Sequence, residues 1–151
     1  MSEAERAAPS IGYWHVWADA DGMSHQSRCH IDEFVLESMQ PPAEPQWQGR
    51  RMRGTTSTLI SVLPVGWIGQ WHENPRPQWI IPLAGRWFVE TMDGTRVEMG
   101  PGEFSFGADQ GCREREGRRG HLSGTVGTVP AVLMIVQLED AQLPSGPCIW
   151  R

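Results

Sequence analysis

Two histidines, two amides and one carboxylate have types and spacing suited to chemistry. His72, Asn74 and Gln78 fall within the stretch Gly66 to Gly85, which also carries Trp67, Trp71 and Trp79. His121 lies beyond it, after a loop that contains Asp109. Two imidazoles with a carboxylate or amide oxygen can hold Fe, Mn, Ni or Zn, with positions left open for a substrate or dioxygen. A neutral amide is the weaker ligand, and Asp109 can restore the missing charge. The expected metal set is therefore His72, Gln78, Asp109 and His121. Without a metal, His72 and His121 remain catalytic candidates, because an imidazole titrates near neutrality and can act as general acid or base. In that case Asn74 and Gln78 hydrogen-bond a polar ligand directly.

These side chains need strands to position them. In an extended segment, alternation puts Gln70, His72 and Asn74 on one face and Glu73 on the other. Gln70, Asn74, Gln78, Trp79 and Trp87 are the candidate ligand contacts, although parity alone does not say which tryptophans face the ligand. The rest of the chain reads as short strands between turns. Expected strands are Ile11 to Trp17, Met23 to His30, Ile31 to Met39, Thr55 to Leu63, Trp67 to His72, Gln78 to Leu83, Arg86 to Met92, Thr95 to Met99, Glu103 to Phe106, His121 to Val126 and Ala131 to Leu138. Ile31 to Met39 also has helical spacing at positions 31, 34, 35 and 39, and is assigned to a strand on context. Asp93-Gly94 marks a hairpin. Gln40 to Gln48, with three prolines, reads as a loop, and so does Gly107 to Gly120. The nearly continuous apolar run Ala131 to Leu138 should be fully buried. Many short strands with turn residues between them indicate an all-β sandwich or barrel.

Composition narrows the field. The chain has 151 residues, 39% hydrophobic and 21% charged, which suits one domain with one core. The expected division is a tail at 1–10, a single domain at 11–140 and a C-terminal tail at 141–151, pinned by Ile149 and Trp150. The formal charge of -5 gives no support to a nucleic-acid partner. The arginines at 50, 51 and 53 and at 113, 115, 118 and 119 read as solvated loops. No apolar run is long enough for a membrane span, and none near the start resembles a leader. Three cysteines, with no Cys-x-x-Cys pair, argue against a disulfide framework and for a reducing cytoplasm. Cys112 has Arg113 beside it, which can lower a thiol pKa. His15, His25 and His30 lie on the N-terminal strands and are weaker candidates than His72 and His121. No serine-hydrolase elbow, zinc-protease motif or phosphate loop is present.

From Gly66 onward the chain resembles the cupin family. Gly66 is followed by five residues and His72; Asn74 stands where that family has a second His, Gln78 where it has a Glu, and Gly85 closes the motif. Asp93-Gly94 and Gly100-Pro101-Gly102 are similar to the start of the family's second motif, and His121 with Thr125 to its end. Trp71 to Gln78 together with Gly117 to His121 are similar to a branch of small cupins. The resemblance covers roughly 59–138 and implies a double-stranded β-helix (jelly-roll) barrel with a divalent metal inside it. It also implies a homodimer. The function expected is a metal-dependent enzyme, of oxygenase, isomerase or lyase type, acting on a small, partly aromatic or apolar molecule. The alternative is a metal-free cupin that binds a small molecule as a sensor or accessory protein.

Overall fold

The structure, a computed structural model, describes Ser2 and residues 7–151. Most of the expected tail at 1–10 lies outside the described residues. The described chain is all-β, with eleven strands and no helix among the described residues. A six-stranded sheet contains β1 (Ile11–Ala18), β2 (Ser24–Ile31), β5 (Thr56–Leu63), β6 (Gln78–Ala84), β9 (Ser105–Ala108) and β11 (Ala131–Leu138). Its order is β2-β1-β9-β6-β11-β5, with β1 and β9 parallel and the other pairs antiparallel. A three-stranded antiparallel sheet has the order β10 (His121–Val126), β7 (Arg86–Thr91), β8 (Arg96–Met99). A separate hairpin pairs β3 (Phe34–Glu37) with β4 (Gln46–Gly49). The sheets are separate and do not join into one closed barrel.

Alternation along the strands builds two cores. Val16, Ile80 and Leu133 of the large sheet pack with Trp87, Val89, Val97 and Met99 of the small one, so the sheets bury their facing sides against each other. On the reverse face of the large sheet, Tyr13, Trp79 and Phe106 pack against Leu143, Ile149 and Trp150 of the C-terminal segment. The anchoring expected of Ile149 and Trp150 is therefore observed. Tyr13 Oη donates to the Trp150 carbonyl at 3.0 Å, and the Trp150 N–H donates back to Tyr13 Oη at 3.2 Å.

Three expectations change. Cys29 and Cys148, 119 residues apart, form a disulfide. The sequence hid this pairing because the C-terminal segment reaches β2 only by folding back across the sheet. The bond removes the argument for a reducing compartment, since disulfides persist where conditions are oxidising. No helix among the described residues is long and apolar enough to cross a membrane. β11 is only partly buried: Ala131, Leu133 and Leu138 are covered, whereas Val132 and Met134 stay half-open on the reverse face. Gln46 to Gly49, whose first residues were assigned to a proline-rich loop, pairs as a strand because the chain beyond the prolines returns alongside Phe34 to Glu37.

Candidate functional site

The segment expected as the strand Trp67 to His72 is held by two isolated bridges to β10, Ile68 with Gly124 and His72 with His121. Four residues advance on one side while three advance on the other. The extra residue makes a bulge, which re-aims the side chains that follow it. The expected alternation of Gln70, His72 and Asn74 therefore fails: Gln70 and His72 are exposed, and Asn74 is buried. His72 and His121 exchange backbone hydrogen bonds at 3.0 and 2.9 Å. Their rings lie 4.6 Å apart between centroids.

Behind His72 runs a buried chain of hydrogen bonds centred on Asp109, which is 0% exposed. Asp109 Oδ2 pairs with His121 Nδ1 at 2.7 Å. Asp109 Oδ1 accepts from the Asn74 backbone N–H and from Asn74 Nδ2, both at 2.8 Å. Asn74 Oδ1 accepts from Gln78 Nε2 at 2.8 Å, and Gln78 Oε1 accepts from Gln137 Nε2 at 3.0 Å. Gly107 makes room for this chain: a Cβ there would stand 2.5 Å from the Asn74 amide nitrogen. Burial pushes the Asp109 carboxyl up, but the bond and charge of His121 and the two Asn74 donors outweigh it and hold the group below its ordinary value.

An ionised Asp109 only accepts, so His121 Nδ1 carries the hydrogen and a neutral ring presents its lone pair at Nε2. The same logic holds for His72, whose Nδ1 faces the Gln70 carbonyl at 2.7 Å. His72 lines a groove of about 350 Å³ with Trp71, Glu73, Glu114, Gly117 and Arg119. Glu73 and Arg119 pair there at 3.3 Å.

Asn74, Gln78, Asp109 and His121 thus come together, with His72 at the surface beside them. The expected metal set assembles differently from a cage. Both Asp109 oxygens are engaged by N–H donors, and Gln78 Oε1 already accepts from Gln137. Among the described residues, no group of three or more His, Cys, Asp or Glu side chains could hold a metal ion. Asp109 and Gln78 therefore have no oxygen free to join His72 and His121 in the expected four-residue cage. Trp79 faces the second core, opposite Gln78, and Trp87 is buried between the sheets with no acceptor for its indole N–H among the described residues. Cys112 is not an activated thiol. Burial, aided by Asp109 and Glu73, pushes it up to about 11, and its Sγ–H donates to the Asp109 carbonyl at 3.1 Å.

Two contributors escaped the sequence reading. Gln137 is the one amide in the run Ala131 to Leu138 and shares parity with Leu133 and Ile135, a signal for an inward polar group that period-two reading could have found. Gln110, which donates to the Asn74 carbonyl at 2.9 Å, left no such signal. His15 is buried behind the C-terminal segment, where its Nδ1 accepts from the Cys148 N–H at 3.0 Å. His25 joins two turns, with one ring nitrogen 2.7 Å from Asp19 and the other 3.1 Å from Asp93. Compared with known proteins, the chain matches no family model and no curated protein.

Proposed function

We propose that this chain is a cupin-like β-sandwich that takes a small molecule at the His72 groove and moves a proton there with the His72–His121 pair. One observation carries the reading: a fully buried carboxylate, Asp109, receives His121 Nδ1 at 2.7 Å while amides occupy its other oxygen. A buried anion behind an imidazole fixes its tautomer, leaves Nε2 as the base and stabilises the imidazolium once the proton arrives. His121, backed by Asp109, is the base, and His72, whose ring centroid lies 4.6 Å from that of His121, lines the groove that brings the ligand to the pair. The groove volume of about 350 Å³ suits a small ligand. The cupin assignment rests on the spacing from Gly66 to Gly85 and on two facing sheets, and it includes a second copy as partner. The outer face of β5, with Ile60 and Val62 53% and 55% exposed, together with Leu83 of β6, is the apolar surface that copy would cover.

Ligand-observed NMR with a library of small carboxylic acids, carbonyl compounds and phenols tests the reading. Hits should lose binding in both His72→Ala and Asn74→Ala. Hits that bind both variants as well as they bind the parent overturn it.

A metal-dependent enzyme is the second reading. It is favoured by one feature: each imidazole donates Nδ1–H to an oxygen and leaves Nε2 free, the arrangement that backs metal-bound histidines. Titration with Co(II) separates the two. Stoichiometric binding with a tetrahedral absorption band, lost in His72→Ala and in His121→Ala, would establish the metal reading in place of the first.

A further inference from the structure

A large cavity lies elsewhere, on the reverse face of the six-stranded sheet. It has a volume of about 760 Å³ and sits between the C-terminal segment and the residues that follow β4. Its apolar lining includes Ile31, Phe34, Leu138, Leu143 and Trp150. Arg50, Arg51, Arg53 and Arg151 also line it, and Asp140 is the one carboxylate side chain that does. The first three were read from the sequence as a solvated loop, but the fold gathers them against an apolar cavity. Among the described residues Arg51 hydrogen-bonds neutral partners, Gln48 Oε1 at 3.3 Å and Met39 Sδ at 3.9 Å. Arg50 and Arg53 have no hydrogen bond or ion pair among the described residues. The Trp150 indole N–H is buried and has no acceptor among the described residues.

We infer that this cavity binds a small amphiphilic acid, with an apolar body on the floor and an anionic head at Arg50 and Arg53. The arginines and the apolar floor support this class, and the arginines outnumber the single carboxylate of Asp140. An excess of three positive side chains in a protein of formal charge -5 selects an anion locally against the field of the whole molecule. Guanidinium forks pair with carboxylate or phosphate oxygens through two parallel N–H bonds. The floor offers no charge to a body that lies on it, so a hydrophilic metabolite would leave that surface unused. A cavity of this volume is within the range that encloses a whole small molecule. The site is separate from the His72 groove and stands whether or not that groove binds a ligand.

Isothermal titration with decanoate, below its micelle concentration, is the test. Decanoate should bind with 1:1 stoichiometry, and decanol at least about tenfold more weakly, the cost of losing one charge-assisted pair. The double variant Arg50→Glu/Arg53→Glu should lose decanoate and prefer decyltrimethylammonium, an inversion that a merely structural role for the arginines cannot produce. If circular dichroism shows that variant to be unfolded, Arg50→Gln/Arg53→Gln should bind decanoate and decanol equally. His72→Ala should bind decanoate as the parent does. Absence of decanoate binding, equal affinity for decanol in the parent, or indifference to both arginine variants overturns the proposal. So does binding to phosphatidylglycerol vesicles without binding to free decanoate.

Discussion

At the residue scale, Asp109 and His15 show burial acting in opposite ways. Asp109 keeps its charge because three N–H donors converge on it. Its carboxyl is held below the ordinary 3.8, so the stability it contributes is complete above that value and is lost as pH falls through the folded one. Asp109→Asn places an NH2 group against one of those donors. We expect it to cost about 3 kcal/mol in urea unfolding, as breaking a buried charged pair does; a loss under about 1 kcal/mol would mean the pair is not formed. Among the described residues His15 has no opposite charge beside it. Burial alone lowers it from 6.5 to about 4, so the folded ring stays neutral while the unfolded one takes a proton. Stability should therefore be complete above pH 6.5 and decline as pH drops toward 4, by on the order of 3 kcal/mol. His15→Gln, whose amide oxygen can still accept from Cys148, should flatten that part of the profile in thermal melts across pH.

Elements position the site through a bulge and a glycine. The bulge opposite β10 turns His72 outward while its backbone stays bonded to His121. Gly107, on β9, lets Asn74 lie over the sheet and reach Asp109. A methyl group there must displace the Asn74 amide, because the sheet behind it cannot yield. Gly107→Ala should cost about 2 kcal/mol. In NMR spectra it should perturb the His121 ring resonances as Asn74→Ala does. An unperturbed His121 would show that Asn74 does not support it through Asp109. Most of the elements were legible, because period two and turn residues are local signals. His121–Val126 and Ala131–Leu138 coincide with the expected ranges, and Asp93-Gly94 joins β7 to β8 as the hairpin signal implies. The bulge was not legible, since it depends on which residues of β10 lie opposite, and pairing partners are not encoded within one strand.

For the whole molecule, the decisive feature is the C-terminal segment. It covers Trp79 and Phe106, forms one wall of the large cavity and is tied to β2 by the Cys29–Cys148 disulfide. A crosslink over a separation of 119 residues restricts the unfolded chain strongly. Cys148→Ser should lower stability by about 3 kcal/mol and red-shift the tryptophan emission as Trp79 and Trp150 gain water. Unchanged emission would show that packing alone holds the segment. The proposed second copy is tested on the same scale. Val62→Glu should convert a dimer to a monomer in light scattering, and a parent protein that is already monomeric removes that partner.

The sequence by itself determined the class of fold and the chemical types at the candidate site. Strand periodicity, turn residues and the types of His72, Asn74, Gln78 and His121 are properties of short stretches, and short stretches can be read alone. Tertiary structure decided what those residues do to one another. It aimed Asp109 at His121, used the carboxylate oxygens that were expected to face a metal, closed the C-terminal segment over Trp79 and turned His72 to the surface. It also joined Cys29 to Cys148 and turned three loop arginines into the rim of a cavity. Each of these depends on contacts between residues far apart in the chain, which the packing of the two sheets and the returning C-terminal segment creates.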